Sequence, residues 1–139
     1  MRHMVSAIAA LCLVLSVTPV FADAPVTHGY QAEAYVASCP NGCNVVLPAT
    51  TEANTLVQHV SCSFYVTSPG VVQFAELRGS QPITNVLPVF AFPTVAGSTE
   101  YGINADVNFY YLKGYQPIIT LDISGGTAGG VDCSVFGYY

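Results

Sequence analysis

The chain reads VQHVSCSFYV between residues 57 and 66, and this stretch decides the fold class. Apolar and polar side chains alternate along it. One set is Val60, Cys62, Phe64 and Val66, and the other is His59, Ser61, Ser63 and Tyr65. Alternate side chains of a β-strand point to opposite faces. The stretch therefore predicts a strand with one face in a core and the other in solvent.

Similar alternation continues on both sides of this strand, punctuated by glycine and proline, as is typical of an all-β domain. Residues 67–70, Thr-Ser-Pro-Gly, predict the turn of an antiparallel hairpin, and the glycine-rich residues 124–130 predict a loop. Lys113-Gly114 predicts a tight turn. The expected strands are residues 30–37, 44–47, 57–66, 71–78, 83–92 with a break at Pro88, 101–112, 115–123 and 131–139.

Seven to nine short strands predict a two-layer antiparallel β-sandwich of the immunoglobulin-like or jelly-roll-like kind. A second layer is needed because a single sheet would leave one apolar face in water. No repeat or internal linker divides the sequence. We therefore expect a single domain, residues 23–139.

The first 22 residues have the layout of a secretory signal peptide. Arg2 and His3 precede an apolar run from Met4 to Val17, and Val20-Phe21-Ala22 supplies a cleavage site; cleavage after Ala24 is the alternative. The apolar run has about 14 residues, whereas a membrane-spanning helix needs about 20. We predict that residues 1–22 are removed and that the mature chain has no membrane span. The protein is then periplasmic or extracellular.

Four cysteines remain in the mature chain, an even number that favours disulfides in an exported protein. Three pairings are possible. We favour Cys39–Cys43, because Pro-Asn-Gly between them is a turn sequence that brings two Cα atoms within bonding reach. Cys62–Cys133 then joins two predicted strands that are distant in sequence.

The charge balance excludes whole classes of partner. Arg78 and Lys113 are the mature chain's only Lys or Arg residues, against eight carboxylates. Each phosphate contact needs a Lys or Arg. We therefore expect no nucleic-acid binding and no electrostatic attachment to anionic lipid.

We find no catalytic or cofactor motif, and we predict a protein that is not an enzyme and has no cofactor or metal. His28 lies in the N-terminal stretch, and no Gly-x-Ser-x-Gly elbow occurs. The acids are scattered along the chain. Asp122 and Asp132 flank the glycine-rich segment and suggest calcium, but the order of ligands in an EF-hand loop is missing, so a flexible connection is the simpler interpretation.

Tyrosine supplies the candidate binding surface. The chain has nine tyrosines and no tryptophan. Tyr65 and Tyr110 fall on predicted solvent faces, and His59 shares the face of Tyr65. An exposed tyrosine offers apolar area with a hydrogen-bonding tip, which suits a protein or glycan ligand. Coverage of a sheet face in a protein with few charges is the competing interpretation.

The C-terminus, with penultimate Tyr138 and with Gly126 fourteen residues from the end, partly resembles chaperone–usher pilin subunits. That resemblance implies assembly by strand exchange. The sequence departs from the pattern at Asp132 and Ser134, where such subunits have apolar residues. The whole chain is similar to small uncharacterised exported proteins of Gram-negative bacteria, a likeness that implies no particular function.

The sequence thus predicts an exported, disulfide-stabilised β-sandwich that acts as a binding or structural module. A subunit of a pilus or surface polymer, self-associating through an edge strand, is the first alternative. A small secreted hydrolase is the second.

Overall fold

The computed structural model describes residues 28–49, 53–80, 86–94 and 98–139. The predicted signal peptide and both of its cleavage points lie outside the described residues. The strands are β1 Gly29–Val46, β2 Thr55–Val66, β3 Val71–Gly79, β4 Val86–Val89, β5 Ala91–Pro93, β6 Glu100–Tyr111 and β7 Pro117–Tyr138. All of their pairings are antiparallel, and the described residues contain no helix. The all-β prediction is confirmed.

Strand β7, which is 22 residues long, organises the sheet. Strand β1 follows one edge of β7 along almost its whole length. On the other edge, β2 pairs with residues 128–138, and β3 continues with residues 117–124. Strands β2 and β3 therefore run in the same direction along one neighbour, and the predicted hairpin between them is wrong.

The corner between β2 and β3 explains that error. Gly70 donates a backbone hydrogen bond to Thr67, as in an ordinary turn. Gly70 also lies against Gly126 of β7, so that a Cβ added to Gly70 would be 2.8 Å from the Gly126 Cα atom. Because of this contact, the chain passes over residues 124–130 of β7 and pairs next with residues 117–124, instead of turning back to pair with β2. It joins residues far apart in sequence, and a local pattern does not reveal it.

The remaining strands close the sheet on itself. Strand β6 pairs with β2, β4 pairs with β3, and β5 pairs with β6. Because only Phe90 separates β4 from β5, this one segment connects the two halves of the sheet. The result is one nearly closed sheet with two layers. The first layer is the part around β7 residues 131–138, where β7 pairs with β1 and β2, and β2 pairs with β6. The second layer is the part around β7 residues 117–124, where β7 pairs with β1 and β3, and β3 pairs with β4.

Two predicted interruptions lie inside strands. Residues 124–130 form the bend of β7, with positive φ at Gly125 and Gly130, and residues 127–129 stay paired to β1. The predicted turn at Cys39–Cys43 is a bulge within β1, where the register shifts between Pro40 and Gly42. Glycine and proline here bend long strands without ending them.

The break predicted at Pro88 falls two residues later, at Phe90, and Pro88 itself pairs with Glu76 inside β4. Strand β6 confirms the predicted alternation: Ile103, Val107, Phe109 and Tyr111 are buried, whereas Asn104, Asp106, Asn108 and Tyr110 are exposed. The Lys113-Gly114 turn is also confirmed, with φ of 82° at Gly114 and a hydrogen bond from Tyr115 to Leu112.

Two buried tyrosines bridge the layers at one end of the core. The Tyr30 hydroxyl, from the first layer, donates to the backbone oxygen of Pro48, just beyond β1. The Tyr111 hydroxyl donates to the backbone oxygen of Arg78 in β3, at 3.2 Å. Burial raises the pKa of Tyr30 to about 12, and burial together with the nearby Tyr30 raises the pKa of Tyr111 further. Both hydroxyls therefore stay protonated near neutral pH.

Candidate ligand-binding face

The two predicted disulfides are confirmed, Cys39–Cys43 and Cys62–Cys133. Cys62 and Cys133 are direct cross-strand partners in β2 and β7, with Cα atoms 4.1 Å apart, and both are buried. This bond fixes the centre of the first layer. Disulfides form and persist in oxidising, exported environments, so the pair is consistent with an exported domain.

The outward side chains around this disulfide form one continuous surface, which we call the outer face. Cross-strand partners in an antiparallel sheet point to the same side, so the register defines its rows. One row runs Gln31, Phe136, His59 and Asp106; the next runs Glu33, Ser134, Ser61 and Asn104; the third runs Tyr35, Asp132, Ser63, Gly102 and Phe92. The centre of the face is polar, and exposed aromatic side chains stand near its borders.

Small side chains leave a depression in the middle of this face. It has a volume of about 200 Å³ and is lined by Glu33, Asp132, Ser61, Ser63 and Ser134. Three hydroxyls and two carboxylates thus line one concave patch. Among them, Glu33 accepts a hydrogen bond from Gln31.

A second depression adjoins the first. Its volume is about 230 Å³, and its lining includes Ser63, Tyr65, Glu100 and Tyr101. Ser63 belongs to both depressions. Beneath the second one, Tyr101 stacks on Phe64, with ring centroids 5.8 Å apart and planes 10° apart. We call these two neighbouring depressions, which share Ser63 as a lining residue, the groove.

Tyr65 lines the second depression in a position that is possible because Gly129 has no side chain. Its ring lies over Gly129 of β7, where an added Cβ would overlap the ring atoms. A Cβ added to the neighbouring Gly130 would lie 3.5 Å from the ring, and 51% of Tyr65 remains exposed. The ring is thus supported from below by backbone and presents apolar area to solvent.

The face carries several carboxylates and no Lys or Arg. Glu33, Asp132, Asp106 and Glu100 contribute carboxylates, and both cations of the described chain lie elsewhere, Arg78 on β3 and Lys113 in the turn after β6. His59 Nδ1 lies 2.8 Å from Asp106 Oδ1. This pair orients the imidazole, but the serines of the face form no hydrogen bond to His59 in the described part of the chain.

The three predicted surface residues all lie on the outer side of the first layer. His59 and Tyr65 are on β2. Tyr65 lines the second depression, whereas His59 lies one row beyond Ser61 and is in the lining of neither depression. Tyr110 lies beyond His59, in the row of Leu56 and Tyr138, and is 55% exposed. Glu33 and the serines were not predicted as site residues, and Asp132 was considered only for calcium. Their alternation with apolar residues indicates that these side chains point outward. That they lie together depends on the register of β1, β2 and β7, which are distant in sequence.

His28 and Asp122 lie outside this site, whereas Asp132 belongs to it. His28 pairs with Tyr139 through two backbone hydrogen bonds of 2.9 Å, so it extends the sheet at the C-terminus. Asp122 and Asp132 belong to different layers. Within residues 28–49, 53–80, 86–94 and 98–139, no group of three or more His, Cys, Asp or Glu residues could hold a metal, and no helix could span a membrane.

No family model and no curated protein matches this chain.

Proposed function

We propose that this protein is an exported, non-enzymatic binding module of the periplasm or cell surface, and that it binds glycans through the outer face. The observation that carries the proposal is the groove beside Tyr65, with hydroxyls and carboxylates in its lining and exposed aromatic side chains at its borders. Binding sites combine apolar contact area with a few convergent polar groups that fix orientation. A sugar offers the complementary surface, an apolar ring face with hydroxyls at its edge.

Charge supports a glycan over an acidic protein or a nucleic acid. With carboxylates and no Lys or Arg on the face, an anionic partner meets like charge. A basic peptide would complement the carboxylates of the face, but exposed ion pairs contribute only about 0–1 kcal/mol each to binding. The serine hydroxyls of the groove can both donate and accept hydrogen bonds, as sugar hydroxyls do, whereas a lysine ammonium group can only donate.

The proposal is tested by isothermal titration calorimetry of the full mature protein with three tetrasaccharides: cellotetraose, maltotetraose and chitotetraose bearing N-acetyl groups. We expect at least one to bind, and Tyr65→Ala to weaken that binding at least tenfold. Phe74→Ala is the matched control, because Phe74 on β3 is 48% exposed and lies on the second layer. Binding of none of the three saccharides contradicts the proposal. Binding only of an oligolysine peptide also contradicts it, if that binding is lost at about 0.5 M salt, where the screening length is about 4 Å.

A specific observation also favours the strand-exchange alternative. Among the described strands, β1 pairs only with β7, so the second edge of this 18-residue strand has no described partner. An exposed strand edge is a template for pairing with another chain. Sedimentation velocity over a hundredfold range of concentration tests this: a subunit of a polymer should self-associate, and a purely monomeric protein contradicts the alternative.

The His59–Asp106 pair keeps the hydrolase alternative testable. In a hydrolase this pair would orient the imidazole toward a nucleophile. Hydrolysis of p-nitrophenyl acetate or p-nitrophenyl glycosides above the background rate, abolished in His59→Ala, would contradict a non-enzymatic function.

A further inference from the structure

The two depressions are individually too small for an extended ligand. Their volumes are about 200 and about 230 Å³, whereas ligand-binding pockets generally have roughly 300–1,000 Å³. Together they enter that range, and Ser63 joins them. An occupant that uses the full groove must therefore cross β2 above Ser63.

Tyr65 lines the second depression and not the first. Its ring lies over Gly129, so it offers apolar area to the part of a ligand that occupies the second depression. The first depression carries Glu33 and Asp132, and the second carries Glu100. Each half thus offers its own carboxylate acceptors, and a hydroxyl donor suits both.

On this basis, and resting on the proposed function, we infer that the ligand is a neutral oligosaccharide of at least two sugar units that occupies both depressions. One unit lies over Ser61, Asp132 and Ser134, and the next lies beside Tyr65 and Glu100. The linkage between the two units passes over Ser63. A sugar acid or a phosphorylated sugar is rejected, because either half of the groove would place its anion against a carboxylate.

Ser63 determines the specificity for length, since it has the only side chain shared by the linings described for the two depressions. Replacing it by phenylalanine fills the shared space without changing a charge. The large side chain points outward, as Ser63 is exposed, so the core is unaffected. Ser124→Phe is the matched control: it places the same side chain at an exposed serine of β7, beyond the outer face.

The experiment is calorimetry with the mono-, di- and tetrasaccharide of whichever series binds. We expect the di- and tetrasaccharide to bind at least tenfold more tightly than the monosaccharide. Ser63→Phe should remove this advantage and Ser124→Phe should keep it. A tetrasaccharide oxidised to carry carboxylates at C6 should bind at least tenfold more weakly than the neutral one.

The wild-type length series keeps the inference falsifiable if Ser63→Phe does not fold. Equal affinity for all three lengths overturns the two-unit inference while the proposed function stands. Preference for the oxidised sugar overturns the neutrality of the ligand. Failure of every neutral saccharide to bind contradicts both the inference and the proposed function.

Discussion

The two halves of β7 belong to the same strand, have the same neighbour β1, and present different outer surfaces. In residues 117–124, Thr120 donates a hydrogen bond to Asn44 Oδ1 at 2.9 Å, and Arg78 donates to the same atom at 2.8 Å. Asn44 thus links the side chains of Thr120 and Arg78, whose Nε atom is buried without a hydrogen-bond partner among the described residues. In residues 131–138, Asp132 and Ser134 instead line an open depression.

The difference shows that the sheet alone does not create a site. Both halves have alternating outward residues, and both are flanked by strands on two sides. On the second layer, long polar side chains reach across the strands and bond to one another. On the first layer, serines are too short to do so, and the space above them stays open to a ligand.

The largest expected effect concerns the disulfide of the first layer. Cys62→Ala with Cys133→Ala opens a loop of 71 residues, whereas Cys39→Ala with Cys43→Ala opens one of four. Chain entropy predicts losses of roughly 4 and roughly 2 kcal/mol. Differential scanning calorimetry should therefore show a melting temperature lower by on the order of 15 °C for the first pair and about half that for the second. Equal losses would show that the first layer has no special dependence on its disulfide.

Packing in the same half gives the next largest effect. A Cβ at Gly137 would overlap the backbone oxygen of Leu56, whereas a Cβ at Gly29 meets nothing within 4 Å. Because backbone cannot move aside as a side chain does, we expect Gly137→Ala to cost about 2–3 kcal/mol in urea unfolding. Gly29→Ala lies one row away, opposite Tyr138, and should be near neutral. A neutral Gly137→Ala would mean that β2 and β7 are farther apart than described.

Alkaline pH tests the tyrosines that join the two layers. Burial raises the pKa of Tyr30 to about 12, above its unfolded value of about 10. The stability that Tyr30 provides is therefore complete below pH 10 and is lost as the pH rises from about 10 toward 12. Urea midpoints between pH 8 and pH 11 should fall, and Tyr30→Phe should flatten the fall. Tyr35→Phe, at an exposed tyrosine, should retain the wild-type profile; an identical profile for Tyr30→Phe would contradict the assignment.

The smallest effect concerns the second layer. Asn44 accepts both hydrogen bonds on the outside of residues 117–124, but it is exposed. Asn44→Ala should therefore cost less than about 1 kcal/mol in urea unfolding. Its glycan affinity should equal that of the wild type, because the variant leaves the first layer unchanged. A loss of affinity above tenfold would show that the two halves are coupled.

Local patterns predicted the elements whose causes are local. The alternation of β2 and β6 gave their inner and outer faces, which placed His59, Tyr65 and Tyr110 outward. Turn chemistry gave Lys113-Gly114 and, with the cysteine count, both disulfides. Neighbouring residues carried sufficient information for the turn and for Cys39–Cys43, and Cys62–Cys133 was then the remaining pair.

The errors arose where distant residues decide the outcome. The path from β2 to β3 depends on the contact of Gly70 with Gly126, and the continuity of β7 depends on its pairing with β1. The groove needs Glu33, Ser63 and Asp132 from three strands. Its existence follows from the register, which the sequence pattern does not specify.

The most direct test of the account is a titration of the ¹⁵N-labelled mature protein with the tetrasaccharide that binds, followed by amide chemical shifts. We predict that perturbed amides cluster in residues 33–35, 59–65, 100–104 and 129–136, with residues 71–79 and 117–124 unchanged. Perturbations centred on the second layer, or no perturbation at millimolar saccharide, which corresponds to a free energy of binding weaker than about −4 kcal/mol, would contradict it.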